Sequence, residues 1–332
     1  MKVQLDIKME DNELEDLLKE RLNLNNIAFV ENRNGYISEG KVFQTEDGSR
    51  IFVKVNRKQG ARLMFEGEVA SLEALKNTNE IRVPNPIKIM NIPTGGSALV
   101  MEFLDITELS NQQAALGEKL ARLHLHNDRL RRRAKATECT VGEYERSPIA
   151  VEKFGFDMAT CVGFLPQPVS WSENWTTYFS NLLDYRIGLI EKQASSPVDT
   201  VNAHKMRELW TEILLLLPGH FRNIDIKPSL LHGDLHVFNS GETKHDGPVI
   251  FDPASFYGHS EIDLSVGFVY PGFNQQFYDA YFKLIPKAPG FEGRLDLYML
   301  NQILNYWNHF GPKQCRQRTI DLMKKITDTK PQ

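Results

Sequence analysis

An α+β chain of two lobes is what the sequence predicts: a small antiparallel sheet with one main helix, then a larger, mostly helical lobe. Two patterns carry that prediction. Short β-prone runs separated by turn residues fill the first hundred positions, and amphipathic periodicity near 3.6 dominates after Leu104. Length agrees, because 332 residues at roughly 150 per domain suggest about two units. The expected lobes are residues 1–104 and 105–332.

Taken in order, residues 27–30, 41–44 and 51–55 are β-prone runs broken by Asn32-Arg33-Asn34-Gly35 and Glu46-Asp47-Gly48, which predicts an antiparallel meander. A helical period runs from Ala61 to Leu75. Pro84 and Pro86 follow it, and strand character returns at 87–89 and 98–103. Beyond Leu104, helices are predicted over 112–125, 173–191, 205–217, 274–284, 294–310 and 316–326. The stretch 230–256 interrupts them with short strands, polar residues, Gly and Pro, and catalytic groups favour loops of this kind on a rigid scaffold. The basic run Arg129-Leu130-Arg131-Arg132-Arg133-Ala134-Lys135 reads as a solvated loop after a helix. His124 and His126 sit about 200° apart on a helix, so they cannot share a metal on one face. One of them is read as a hydrogen-bonded core histidine.

Composition narrows the class. With 41% hydrophobic and 25% charged residues, usage is that of an ordinary globular protein. Lys plus Arg is 39 and Asp plus Glu is 43, a net charge of −4, so no global field draws nucleic acid or anionic lipid. Cys139, Cys161 and Cys315 are too few and too scattered for a disulfide framework or a zinc site, and are expected to be reduced. No apolar segment of signal-peptide type opens the sequence, and the run 213–217 is far short of the ~20 residues that cross a bilayer. A cytosolic protein without nucleic-acid or membrane partners is expected.

Chemistry concentrates in His232-Gly233-Asp234-Leu235-His236-Val237-Phe238-Asn239, followed by Asp252. The spacing H-x-D-x-x-x-x-N matches the catalytic loop of protein-kinase-like enzymes, where Asp takes the acceptor hydroxyl proton and Asn holds Mg²⁺. Asp252 is placed as the second metal ligand, because Mg²⁺ wants oxygen donors and uses only one or two carboxylates beside ATP phosphates and water. Such a fold also needs a strand Lys and a helix Glu. Phe52-Val53-Lys54-Val55 supplies the Lys. On the next helix, with Met64 at 0°, the apolar residues Ala61, Phe65, Leu72 and Leu75 fall between about 20° and 100°, Glu68 at about 40° and Glu66 at about 200°. A carboxylate on the buried stripe needs a partner, which makes Glu68 the expected mate of Lys54. Gly35, Ser38 and Gly40 lie in a loop that reads alone as a hairpin turn and in this context as the nucleotide loop. Met101, Glu102, Phe103 and Leu104 end the small lobe, either as an edge strand or, by kinase geometry, as the backbone that holds adenine. Trp307-Asn308-His309-Phe310-Gly311 closes a helix with Gly311 as C-cap. Structure alone can explain that segment, but Trp307 and His309 also suit a sugar pocket.

Residues 52–57 and 64–75, with Asp252-Pro253-Ala254-Ser255-Phe256-Tyr257-Gly258-His259-Ser260-Glu261, residues 285–291 and Trp307 to Gly311, resemble the fructosamine kinase (ketosamine-3-kinase) family, a branch of the aminoglycoside phosphotransferase-like kinases. The similarity spans 24–328 in order. It implies phosphorylation by ATP, with Mg²⁺, of the sugar O3 of a ketosamine, either as a small molecule or on a glycated protein. The product breaks down to free the amine, hence deglycation and repair by a monomer or weak dimer. The alternatives are a kinase for a choline- or aminoglycoside-type acceptor and a nucleotide-binding pseudokinase. Family members usually read H-G-D-L-W-S-G-N, whereas this chain has His236, Val237 and Phe238 before Asn239. His236 is expected to replace a stacking Trp in the acceptor pocket. Phe238 is expected to strain a backbone that Gly adopts more freely. Tyr36 stands where many relatives carry a Cys.

Overall fold

The computed structural model describes residues 2–33, 35, 37–138, 149–311, 313 and 315–329, with the side chains of 2–11 and 137–138 left aside. Asn34, Tyr36 and Cys139 lie outside the described residues. The chain forms a two-lobed, protein-kinase-like α+β fold. Strands β1 (Ile27–Asn32), β2 (Glu39–Thr45), β3 (Arg50–Asn56), β4 (Pro86–Asn91) and β5 (Ser97–Glu102) make one antiparallel sheet of order β1-β2-β3-β5-β4. Alternation along β3 decides its use. Ile51, Val53 and Val55 point into one core with Leu14, Leu17 and Leu18, while Phe52 lies on the other face against Phe65. Lys54, in phase with Phe52, is thereby presented to helix α2 (Ala61–Asn77).

Those three leucines belong to α1 (Lys2–Leu22), a helix the sequence reading missed. Its described apolar anchors are few, and the acidic residues around them mask the i, i+3, i+4 spacing. The small lobe therefore has two helices among the described residues, one on each face of the sheet.

In the large lobe, α3 (Gln113–Glu138) packs on α7 (Gln275–Leu284), and α4 (Trp175–Gln193), α5 (Pro197–Phe221), α8 (Phe291–Phe310) and α9 (Arg316–Asp328) enclose the main apolar core. The basic run 129–135 is not a loop. It is the last third of α3, held by Arg129 on Glu80, Arg131 on Asp128 at 3.2 Å and Arg132 on Asp128 at 2.7 Å. Helix α5 starts earlier than expected, with Ser196 capping the Asp199 N–H and Pro197 in the first turn. Helix α6 (Glu261–Val269) was not anticipated: it is buried almost all round, so it has no amphipathic stripe to read. His124 is the core histidine, bonded to the Tyr281 hydroxyl at 2.8 Å and to Asp263 at 3.1 Å. Among the described residues no helix is long and apolar enough to cross a membrane.

Candidate active site

The segment after β8 (Ser229–Leu230) is held from several sides. Asp263, at the start of α6, accepts the backbone N–H groups of His232 at 2.7 Å and Gly233 at 2.8 Å. Burial works to raise its pKa, but the His124 hydrogen bond, the charges of His124 and His232, and the Gly233 N–H hold it below the usual carboxylate value. Gly233 has φ +87, and a Cβ there would lie 2.1 Å from the Ala254 carbonyl oxygen, so only glycine fits. The buried His232 ring reaches the Phe251 carbonyl at 2.9 Å and accepts the Asp234 N–H at 3.3 Å. Asn239 donates to the Asp234 backbone carbonyl at 3.0 Å. Asp234 is thus fixed by its neighbours rather than by its own rotamer. Burial first, and the Asp252 charge second, push its carboxyl up to about 7 against the pull of Arg186.

The hairpin β9 (Ser240–Thr243) and β10 (Gly247–Ile250) returns the chain to Asp252, which adopts the left-handed conformation at φ +57 that Asp tolerates better than most residues. Lys54 Nζ lies 2.7 Å from Glu68 Oε1 and 2.7 Å from Asp252 Oδ1. Burial opposes the ammonium, but Asp252 and Glu68 overcome it and raise the Lys54 pKa. Glu66 instead pairs with Arg62 at 2.8 Å on the outer face of α2. Helix α2 is seated on the same region, for Gly67 lies so close to the Ala159 carbonyl that a Cβ would come within 2.3 Å, and Ser71 Oγ accepts the Ser255 N–H at 3.0 Å. Glu68→Gln is therefore expected to reduce turnover by at least tenfold and Glu66→Gln by less than about twofold, since exposed ion pairs contribute little. Steady-state rates of the two variants decide it, and equal losses would remove the Lys54–Glu68 pair from the machinery.

The donor chemistry fits a hard cation. Asn239 Oδ1 and Asp252 Oδ2 accept no hydrogen bond among the described residues, and an amide oxygen beside one carboxylate is a set Mg²⁺ uses when phosphates supply the rest. No cluster of three or more His, Cys, Asp or Glu that could hold a metal occurs among the described residues.

Around the expected nucleotide loop, Arg33 N–H donates to the Gly40 carbonyl at 2.7 Å and Gly35 N–H to the Ser38 carbonyl at 3.1 Å, closing a tight hairpin. Gly40 belongs to β2 rather than to the loop tip, and a Cβ there would sit 2.1 Å from the Arg33 carbonyl oxygen. Met101 is buried in β5. The Glu102 N–H is taken by the Asn85 carbonyl at 2.8 Å and the Leu104 carbonyl by the Ile106 N–H at 2.9 Å, and among the described residues the Phe103 and Leu104 N–H groups have no partner.

On the acceptor side three expectations change. Trp307 is 4% exposed, in the main core. It packs there among Leu300 and Leu304 and offers almost no surface to a sugar. His309 spends both ring nitrogens on protein, Nδ1 on the Asn305 carbonyl at 2.8 Å and Nε2 on the Phe164 N–H at 3.3 Å, and so clamps the hairpin of β6 (Cys161–Val162) and β7 (Leu165–Pro166). Phe238 is not strained. Among the described non-glycine residues positive φ occurs at Asn23, Asn79 and Asp252, whereas Phe238, 70% exposed, sits in a short 3₁₀ turn, Val237–Asn239. His236 does lie at the site, its Nε2 3.9 Å from Asp234 Oδ2, and burial lowers its pKa to about 4, so the ring is neutral.

The reading also missed Asp263 and Arg186. Arg186 of α4 is 4% exposed, donates to Asn305 and to Gln167 at 3.0 Å, and among the described residues has no carboxylate in salt-bridge contact. Burial lowers its pKa to about 10, with the Asp234 charge opposing that. No spacing rule connects either residue with the loop.

A fructosamine kinase family model matches residues 10–328. A ketosamine-3-kinase of Mus musculus is 43% identical over 320 residues, covering 95% of this chain and 100% of that protein. A chloroplastic protein-ribulosamine 3-kinase of Arabidopsis thaliana is 38% identical over 278 residues, covering 83% of this chain and 76% of that protein. Among solved structures, a provisionally named fructosamine-3-kinase from Haemophilus somnus superposes with a TM-score of 0.72 at 23% identity, over 94% of this chain and 96% of that one. The aminoglycoside phosphotransferase APH(4)-Ia superposes at 0.59 and 11% identity, over 96% and 98%.

Proposed function

Since the chain belongs to the fructosamine kinase family, we propose that it transfers the γ-phosphoryl group of ATP to the sugar O3 of ketosamines, small or protein-bound, and so starts their deglycation. The single observation that supports this most is the meeting of Lys54, Glu68, Asp252, Asn239 and Asp234, with Lys54 bonded at 2.7 Å to both acids. Phosphoryl transfer is largely positioning and charge stabilisation, which such a set provides. Lys54, oriented by Glu68, would hold the nucleotide phosphates. Asn239 and Asp252 would hold Mg²⁺, which when bound neutralises phosphate charge. The hairpin with Gly35, Ser38 and Gly40 would cover the phosphates, and the Phe103 and Leu104 amides would meet adenine. Asp234 would orient the acceptor hydroxyl and take its proton. The lobes would divide after Leu104, and the free thiols of Cys161 and Cys315 suit a reducing cytosol.

The test is ATP consumption by the purified protein with ribulosyl-, psicosyl- and fructosyl-lysine, choline and an aminoglycoside. Turnover is expected with at least one ketosamine and with neither of the last two. Turnover confined to choline or the aminoglycoside would overturn the proposal.

A further inference from the structure

A cleft of about 260 Å³ opens where the C-terminal end of α6, the face of α8 and the start of α9 converge, lined by Val269, Tyr270, Ile303, Tyr306, Cys315 and Arg318. It adjoins the catalytic loop. The Tyr270 ring lies 5.4 Å from that of His236, whose Nε2 is 3.9 Å from Asp234 Oδ2, and Tyr306 continues the wall at 6.4 Å from Tyr270. Burial raises the Tyr270 phenol pKa first, and the Asp234 charge acts on the phenol as well, so ring and carboxylate are electrostatic neighbours.

The lining is chemically one-sided. Aromatic and aliphatic carbons make most of it, no carboxylate takes part, and its one charged member is Arg318, exposed and without an ion pair among the described residues. An ammonium would find no counter-charge here. A methylene chain would lose water against the tyrosine rings, and an anion at its far end would meet the guanidinium.

We infer that this cleft is the subsite for the amine-side arm of the ketosamine, and that it selects apolar arms ending in a carboxylate, as in the ketosamine of an ω-amino acid, by pairing that carboxylate with Arg318. The inference rests on the ketosamine reading and narrows it, because a lysine inside a polypeptide carries amides where such an arm carries its carboxylate.

The test uses the full chain with ATP and Mg²⁺ and two synthetic ketoamines that differ in one group, ribulosyl-6-aminohexanoate and ribulosyl-6-aminohexanamide. Wild type is expected to favour the carboxylate about two- to fivefold in kcat/KM, the range of an exposed ion pair, through KM and less so at high salt. Arg318→Gln is expected to bring the ratio to one while leaving the amide substrate within twofold of wild type. A general loss of fold would lower both substrates together, so the ratio separates recognition from stability. A ratio of one in wild type, or one unchanged in Arg318→Gln, would overturn the inference while leaving the ketosamine reading standing. Absence of turnover with both ketoamines, and with the other ketosamines above, would overturn the two together.

Discussion

Asp234→Asn is expected to lower turnover by about 10²–10⁴-fold, the usual contribution of a positioned general base, while ATP·Mg²⁺ still binds. The separation follows from geometry. Asp234 is fixed through its backbone by Asn239 and His232, and among the described residues its carboxylate oxygens accept only the long 3.4 Å hydrogen bond from Asn239 Nδ2, whereas the oxygens available to a cation belong to Asn239 and Asp252. Asparagine preserves the shape and removes the ability to accept a proton. Asp252→Ala is the matching control and should abolish the Mg²⁺-dependent part of nucleotide binding. Isothermal titration with ATP·Mg²⁺ beside single-turnover rates resolves the two effects. Turnover of Asp234→Asn within about twofold of wild type would remove Asp234 from that role.

Asp263→Ala should be the costliest substitution for stability. It strips an acceptor from the N–H groups of His232 and Gly233 and a partner from His124, all buried. Each orphaned donor costs about 1–3 kcal/mol, so a loss of about 3–5 kcal/mol is expected and, with it, roughly 4–7 °C in Tm. Asp263→Asn should fall in between, because one carbonyl oxygen remains to accept. Activity should fall along with stability, since the same two N–H groups set the path of the chain into Asp234. Thermal unfolding followed by circular dichroism measures it. A shift below roughly 1.5 °C, worth about 1 kcal/mol or less in a chain of this size, would show that other contacts carry the loop.

How much of this was legible in advance varied with the range of the interaction involved. Lys54 and Glu68 could be paired before any coordinates because two short periodicities, two residues along a strand and 3.6 along a helix, each assign a face locally. Glu66, two residues from Glu68, was set aside by the same phase and does pair outward. The identical reasoning applied to α8 would have placed Trp307 with Ile303 and Leu300 and pointed to Tyr306 instead. The aromatic, polar look of the helix end outweighed phase there, and that was the error. Helix α6 escaped because burial on all sides erases the contrast that periodicity detects.

By itself the sequence determined the two-lobed α+β architecture, the meander that carries Lys54, the spacing of Asp234, Asn239 and Asp252, and the family. Those depend on neighbours a few residues apart, whose relative directions are set by strand and helix geometry alone. Only the tertiary structure decided that Lys54 meets Asp252 across 198 positions, that Asp263 reaches back 30 and 31 to hold the loop, and that Tyr270 walls a cleft beside His236. Such pairs are chosen when distant segments pack and each buried polar group must find a partner, a requirement imposed by the whole fold and written in no local pattern.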